Sequence, residues 1–220
     1  MPLFKIIIYL GYLVLAINTF LYFKSYRQKS IAFKIIPFYL LFCLIIQLNA
    51  TYLGAHNIPN LYLSHYYFVG QFLFLSFFYK EILKSQIKKR VVNLFLSTIP
   101  IVIIILYIIN PLNYFKFNLI EVIITSIPIV LFSIFYFSEN LNSSKKFIYL
   151  NCGIFIYLIS STFLFSVGNI INSSLSSFKK YVWILNAILY LVYQILIFIE
   201  WYKNFKSKKN IKNSTFIKHE

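Results

Sequence analysis

Aspartate is absent from the 220-residue chain, and glutamate occurs only five times. An aspartyl protease needs two Asp carboxylates, and Asp commonly holds the metal of a phosphate site, so neither kind of site is expected. Histidine occurs three times, and two of these residues, His56 and His219, lie outside the apolar runs. That is too few for the multi-histidine metal sites of membrane hydroxylases, desaturases and ceramidase-like hydrolases. The sequence therefore predicts a protein that is not an enzyme.

Cysteine and glycine motifs are also scarce. Cys43 and Cys152 both lie inside apolar runs, where we expect small buried packing residues and neither a disulfide nor a zinc site. The Gly-Xaa-Ser-Xaa-Gly motif of the α/β-hydrolases does not occur. The last apolar run has no lysine near its middle, so it cannot hold retinal as a rhodopsin does. We expect no metal and no cofactor.

Apolar residues, in contrast, make up 60% of the chain, charged residues only 12%, and the mean hydropathy is +0.76. Soluble domains are about half apolar and about one-quarter charged. Seven apolar runs are long enough to cross a bilayer as α-helices, namely 3–23, 35–54, 61–83, 91–109, 119–138, 147–168 and 181–202. The predicted fold is an all-α membrane protein with seven transmembrane helices. We expect one domain over 1–205 and a basic, polar cytoplasmic tail over 206–220.

The net charge of +16 comes from lysines and arginines that cluster between the apolar runs. Loops after the first, third, fifth and seventh runs hold most of them, whereas the other loops hold only Lys116, Lys179 and Lys180. By the positive-inside rule the N-terminus is outside and the C-terminus in the cytoplasm, as an odd number of helices requires. The first run lacks a small-residue cleavage site, so we expect a retained helix. Anionic lipid or a protein partner is expected at the cytoplasmic loops and tail, and nucleic acid is not.

The seventh run carries its polar residues on one face. Asn186, Tyr190, Tyr193 and Gln194 recur at helical spacing, and the other faces are Ile, Leu, Val and Phe. Lipid offers such a face no hydrogen bonds, so it should turn towards protein or water. Asn186, Tyr190 and Gln194 are therefore candidate ligand-binding residues.

Further amides fall inside other runs, at Gln47 and Asn49 in the second, Gln71 in the third and Asn151 in the sixth. Side-chain amides join helices within membranes, for about 0.6–2 kcal/mol each. Helix packing alone is one interpretation of these residues. The other is that several of them converge on one polar cavity in the outer half of the bundle and bind a small ligand or lipid there.

Two ionisable residues complete the candidate site. His65, close to the outer boundary of the third run, precedes Tyr67 and Gln71 and could sense pH or bind an anion. It could also be an interfacial residue held by a hydrogen bond. Glu121 begins the fifth run, where it is either a functional intramembrane carboxylate or a first-turn residue favoured by the helix dipole.

The third and seventh runs share a pattern of tyrosine, glutamine and lysine. Tyr67, Gln71, Tyr79 and Lys80 recur with identical spacing as Tyr190, Gln194, Tyr202 and Lys203. One interpretation is a 3+1+3 parallel repeat, in which the fourth helix joins two triplets of equal orientation. The other is chance, because tyrosine is abundant here. The Pro-Gln loop of the sugar-exporting transporters with that layout is absent.

The segment from Asn60 through His65 and Tyr67 to Gln71-Phe72 resembles a motif of small, uncharacterised seven-helix inner-membrane proteins of the Bacteroidota. Those proteins usually have Glu where this chain has Gln71, a difference that weakens a proton-relay role. The polar face of the seventh run is also similar to their last helix. The resemblance spans most of the chain and implies the seven-helix fold and the inner (cytoplasmic) membrane, but no known activity. In size and composition, the chain is also similar to small membrane accessory proteins encoded beside RNA-targeting CRISPR effectors.

The expected function is that of a non-enzymatic sensor or accessory module, which binds a small ligand or lipid in a polar intramembrane cavity. The alternative is a small-solute transporter or a pore-forming membrane protein, including the accessory protein of a defence system. A lipid-active enzyme that uses Glu121 or His65 ranks last.

Overall fold

The computed structural model describes residues 2–26, 30–140, 146–170 and 176–216, and the side chains of 4–26, 30–140, 146–168 and 181–203. Over these residues the chain forms seven α-helices and no strand, which confirms the predicted all-α class. The helices are α1 Pro2–Lys24, α2 Ile31–Ala55, α3 Leu63–Ile82, α4 Gln86–Ile109, α5 Leu119–Asn140, α6 Ile148–Ile170 and α7 Ser176–Phe216. A 3-10 helix, Pro111–Phe115, links α4 to α5.

Six of these helices, all except α3, are long and apolar enough to cross a membrane. The exception has 20 residues, but His65, Gln71, Lys80 and Glu81 lower its hydropathy. α3 nevertheless packs inside the bundle, between α2 and α5. The protein is a multi-pass helical membrane protein.

Three helices begin well before their predicted starts, α2 at Ile31 instead of 35, α4 at Gln86 instead of 91 and α7 at Ser176 instead of 181. Side chains bind backbone N–H groups at the first two of these starts. The Ser30 hydroxyl accepts the backbone N–H of Phe33 at the start of α2, with the two atoms 3.4 Å apart. Ahead of α4, Glu139 accepts the backbone N–H groups of Lys84 and Ser85, at 2.7 and 3.1 Å. The sequence prediction had assigned the residues around these caps to loops.

α7 continues to Phe216, well past its predicted end at 202, so the segment 206–216 that was expected to be a polar tail is helical. Other loop predictions fall on residues outside the described part of the chain. These are Arg27 and Lys29 of the first basic loop, 141–145 between α5 and α6, 171–175 between α6 and α7, and 217–220 at the end of the tail.

Six helices form a closed ring. Each packs against the next in the order α1, α2, α3, α5, α6, α7, and α7 packs against α1. α4 lies outside this ring, against α3 and α5. Side-chain bonds show that α1 runs parallel to α7, since Asn18 bonds Gln194 and Tyr22 bonds Ile197. α3 runs parallel to α5 as well, because one helix, α4, lies between them in the chain. The ring therefore contains two parallel contacts, α1 with α7 and α3 with α5.

Helix direction alternates along the chain, so α1, α3, α5 and α7 all finish at one end of the bundle, which we call the basic end. Lys24, Lys84, Lys88 and Lys203 lie there. A buried carboxylate, Glu200 of α7, also lies there and accepts three backbone N–H groups at the start of α6. The donors are Phe147, Tyr149 and Leu150, at 2.7, 3.0 and 3.5 Å.

Candidate functional site

A network of tyrosines around Gln71 occupies the centre of the ring. The Gln71 amide nitrogen donates to the hydroxyls of Tyr39 and Tyr67, at 3.0 and 3.3 Å. Tyr193 of α7 donates to Tyr39 at 3.2 Å, and the hydroxyls of Tyr67 and Tyr157 lie 3.5 Å apart. All five side chains are buried. The network thereby joins α2, α3, α6 and α7 across the interior.

Gly153 lets α6 approach α7 closely at this network. The rings of Tyr157 and Tyr193 stack with their centroids 5.2 Å apart and their planes 4° apart. A Cβ atom at position 153 would lie 2.9 Å from the Tyr193 ring, closer than such atoms approach. The glycine therefore makes room for the stacked rings.

Two adjoining cavities open beside the network, towards the end opposite the basic end. One, of about 180 Å³, is lined by α1, α2, α6 and α7; the other, of about 280 Å³, is lined mainly by α2, α3, α6 and α7. Gln47, Tyr157, Trp183 and Asn186 line both of them. We call the two together the paired cavities.

Asn186 and Tyr190 bring unpaired polar atoms to this region. Asn186 Oδ1 and the Tyr190 hydroxyl are buried, and neither has a hydrogen-bond partner among the described residues. An unpaired buried polar atom costs about 1–3 kcal/mol. Gln47 differs, because its Oε1 accepts a hydrogen bond from the Tyr12 hydroxyl at 3.1 Å. Because Asn186 and Tyr190 line the smaller cavity, they are candidate polar contacts for a bound molecule.

Two of the predicted amides lie away from the paired cavities and join helices. Asn151 Oδ1 accepts from the Tyr79 hydroxyl at 2.6 Å, and its Nδ2 donates to the Ser133 carbonyl at 3.3 Å. Asn18 Nδ2 donates to Gln194 Oε1 at 3.1 Å and to the Gln194 carbonyl at 2.8 Å. Their geometry is that of helix packing.

Asn49 does not join the predicted cavity. It is exposed, and its Nδ2 donates to the Ile45 carbonyl of its own helix at 2.8 Å. The predicted residues that line the paired cavities are Gln47, Tyr67, Asn186 and Tyr190. Gln71 lies behind them in the tyrosine network. The sequence predicts one polar cavity, whereas the structure has two adjoining ones. Asn151 and Gln194 join helices and do not line either cavity.

Sequence reasoning missed Tyr12, Tyr157 and Trp183 in the cavity walls, and Asn18. The tyrosines carried no signal, because the chain has 19 of them. Asn18 did carry one, since it is an amide inside an apolar run, as Gln47 is.

His65 and Glu121, which the sequence presented separately, form a buried pair. His65 Nδ1 lies 2.6 Å from Glu121 Oε2, and the two residues are 5% and 1% exposed. The Tyr107 hydroxyl of α4 bonds both Oε2 and, at 2.7 Å, Nδ1. We call these three residues the His65 cluster. His65 and Glu121 each occupy the third position of parallel helices, which places them at the same depth.

The 3-10 helix covers the His65 cluster with Tyr114. The Tyr114 carbonyl accepts from His65 Nε2 at 3.0 Å, and its hydroxyl lies 2.9 Å from the Tyr66 hydroxyl. That second hydrogen bond raises the pKa of Tyr114, so its hydroxyl stays protonated at neutral pH. Within the described part of the chain, no third histidine, cysteine or carboxylate joins the pair to form a metal-binding group. The arrangement can hold and exchange protons.

Comparisons of this chain with protein-family models, with curated proteins and with solved structures find no match.

Proposed function

We propose that this multi-pass membrane protein binds a small amphipathic molecule or lipid in the paired cavities and acts as a non-enzymatic sensor or accessory module. The observation that carries the proposal is the pair of buried, unpaired polar atoms on Asn186 and Tyr190. Both side chains line the smaller cavity, and Asn186 also lines the larger one. A bound molecule that pairs these atoms would remove an unfavourable feature of the unliganded fold.

The walls define the chemistry of the ligand. Asn186 Oδ1 can only accept, so the ligand must offer a hydrogen-bond donor such as a hydroxyl or an amide N–H. Phe68, Phe117 and Phe165 line the larger cavity, and Trp183 lines both. Polar anchors among aromatic walls favour a molecule with a polar head and an apolar body.

The orientation expected from the positive-inside rule completes this proposal. With the basic end in the cytoplasm, the paired cavities lie in the outer half of the inner membrane. The basic end would then meet anionic lipid headgroups and a protein partner, which would receive any signal.

Trp183 offers a direct test of ligand binding. Trp183 and Trp201 are the two tryptophans of the chain, so the Trp201→Phe protein keeps one reporter, at the cavity wall. We expect monoolein, which has hydroxyl donors, to change its fluorescence saturably, and methyl oleate, which has none, to bind about tenfold more weakly. The readout is a titration in detergent.

Asn186→Ala on the Trp201→Phe background should weaken monoolein binding about three- to tenfold. Asn49→Ala, which removes an exposed amide of similar depth, should leave binding unchanged. Equal affinity for the two amphiphiles, or equal binding by Asn186→Ala, would refute the proposal.

A small-solute transporter built as a 3+1+3 repeat is the second candidate. The ring order supports it: a twofold rotation that takes α1, α2 and α3 onto α5, α6 and α7 also exchanges the two parallel contacts. α4 outside the ring is the linker such a repeat needs. The matched residues have different surroundings, however, since Tyr79 is fully buried and Tyr202 is 44% exposed.

Flux through liposomes separates the two candidates. A transporter should pass ions or small neutral solutes, and Gln71→Ala and Gln194→Ala should each abolish that flux. Tight liposomes across a broad panel of solutes would leave the ligand-binding function as the proposal.

A further inference from the structure

The His65 cluster has a chemistry that the paired cavities do not need. Side chains from α3, α4 and α5 meet there on a single atom, Glu121 Oε2. The other carboxylate oxygen, Oε1, is buried and has no partner among the residues that the structure describes. We propose that the cluster is a proton-binding site, which shares one proton between His65 and Glu121 at neutral pH and takes up a second on acidification.

The hydrogen bonds place the protons. The Tyr114 carbonyl can only accept, so His65 Nε2, 3.0 Å away, carries a hydrogen. His65 Nδ1 and Glu121 Oε2 are 2.6 Å apart, a separation that needs one hydrogen between them. The pair is either an imidazolium with a carboxylate or a neutral imidazole with a carboxylic acid. In both forms its net charge is zero, and the shared proton belongs to the pair.

A second proton would disturb this balance. Oε2 is already engaged by His65 and Tyr107, so the added proton goes to Oε1. No acceptor for that proton is present at Oε1 among the described residues. The cluster also gains a positive charge in a buried site, which is unfavourable without a counter-ion.

Loss of the shared proton is equally unfavourable. It leaves the Glu121 carboxylate, in a residue that is 1% exposed, opposite the lone pair of a neutral imidazole. Tyr107 would then be the remaining donor to Oε2. The folded state is therefore most stable while the pair holds one shared proton, and its stability falls when a proton is added or removed.

Among the described residues around the pair, no other buried charge compensates. Tyr62, just before α3, and Tyr66 of α3 both contact Tyr114. Lys116, between the 3-10 helix and α5, is exposed. His56 follows the last residue of α2, which packs against α3; it is exposed, and its ring bonds the carbonyl of Tyr52 in α2.

The remaining neighbour of α5 is α6, which reaches this end with an aromatic side chain. Phe165 packs there against Phe117, just ahead of α5. α4, the third helix next to the pair after α2 and α6, contributes Tyr107. Glu121 is thus the carboxyl group that His65 meets in the described structure.

The test is the dependence of the apparent Tm on pH, measured in detergent from about pH 4 to 9 with the full chain. The wild-type protein should be most stable near neutrality. Glu121→Gln cannot share the proton, so it lacks the stabilisation that the wild-type protein has near neutrality. The difference between the two Tm values should therefore be largest near neutral pH and smaller by about 5 °C or more at both pH extremes. A difference that stays constant across this range would overturn the proposal.

Two matched variants separate the cluster from ordinary surface titration. Glu81→Gln removes an exposed carboxylate at the basic end, and His56→Gln removes an exposed histidine at the opposite end. Both should reproduce the wild-type profile. A profile changed by either of them as much as by Glu121→Gln would also overturn the proposal.

Infrared spectroscopy of the wild-type protein covers the case in which Glu121→Gln fails to fold. Because the chain has no aspartate, labelling with ¹³C-glutamate marks every side-chain carboxyl. On acidification we expect one protonated carboxyl band that exchanges slowly in D₂O, since Glu121 is buried. If all carboxyl groups titrate together near pH ~4.3 and exchange rapidly, the cluster is not a proton-binding site.

Discussion

The two ends of the bundle use glutamate in different ways. At the basic end, Glu139 and Glu200 accept backbone N–H groups at the starts of α4 and α6. At the opposite end, Glu121 faces the side chains of His65 and Tyr107. A carboxylate at a helix N-terminus satisfies donors that a helix always leaves unpaired. A carboxylate bonded to an imidazole instead shares a proton with it. The role of each glutamate therefore depends on whether its partner is a backbone N–H or an imidazole.

The largest expected effect is on Glu200. Glu200→Ala leaves the backbone N–H groups of Phe147, Tyr149 and Leu150 without their acceptor, and we expect a loss of about 3 kcal/mol in the free energy of unfolding. Unfolding in mixed detergent micelles measures this. Glu81→Ala, at the same end but exposed, should change stability by less than about 0.5 kcal/mol. A Glu200→Ala protein as stable as Glu81→Ala would show that the carboxylate does not act as a cap.

A smaller loss is expected at Glu139. Its cap of Lys84 and Ser85 is supplemented by an ion pair with Lys88 at 3.3 Å. Glu139→Ala should cost about 1–2 kcal/mol, mostly through the cap. Lys88→Met keeps the cap but removes the ion pair and the hydrogen bonds of Lys88 Nζ to Phe135 and Ser138, and it should cost less than about 1 kcal/mol. If Lys88→Met costs as much as Glu139→Ala, the contacts of the Lys88 ammonium outweigh the cap.

The smallest effect is expected at Tyr107, the anchor of α4 at the end opposite Lys88. Tyr107→Phe removes one hydroxyl and should cost about 1 kcal/mol. A double-mutant cycle with Glu121→Gln should show coupling of about 0.5 kcal/mol or more, because Tyr107→Phe removes the hydrogen bond to Oε2 and Glu121→Gln weakens it by replacing a carboxylate with an amide oxygen. Additive effects in that cycle would mean that the hydroxyl contributes little to the His65 cluster.

The helices of this fold could be found from the sequence, since a membrane-spanning helix needs about 20 apolar residues whatever its neighbours are. Their ends could not be placed as well. Just ahead of α4, the backbone N–H of Ser85 bonds Glu139, which lies 54 residues away along the chain. α7 continues past its apolar run into lysine-rich sequence, where hydropathy gives no signal.

The site was only partly predictable for a related reason. A polar residue in an apolar run must be satisfied, but the sequence does not say by what. Asn151 and Gln194 have partners in helix packing, whereas Asn186 Oδ1 has none among the described residues. The sequence did contain a signal for the pairing of His65 with Glu121, because each is the third residue of a helix and the two helices run in the same direction. This signal predicts a contact only when α3 and α5 are known to be neighbours.

The position of α4 outside the ring has a consequence for how the chain can be divided. The six ring helices meet one another through faces that α4 does not supply. A chain cut between α3 and α4 would yield two fragments whose ring-forming surfaces are each intact. When the two fragments are co-expressed, they have the contacts they need to reassemble. α4 then belongs to the fragment that contains α5, α6 and α7, and it packs against α3 of the other fragment.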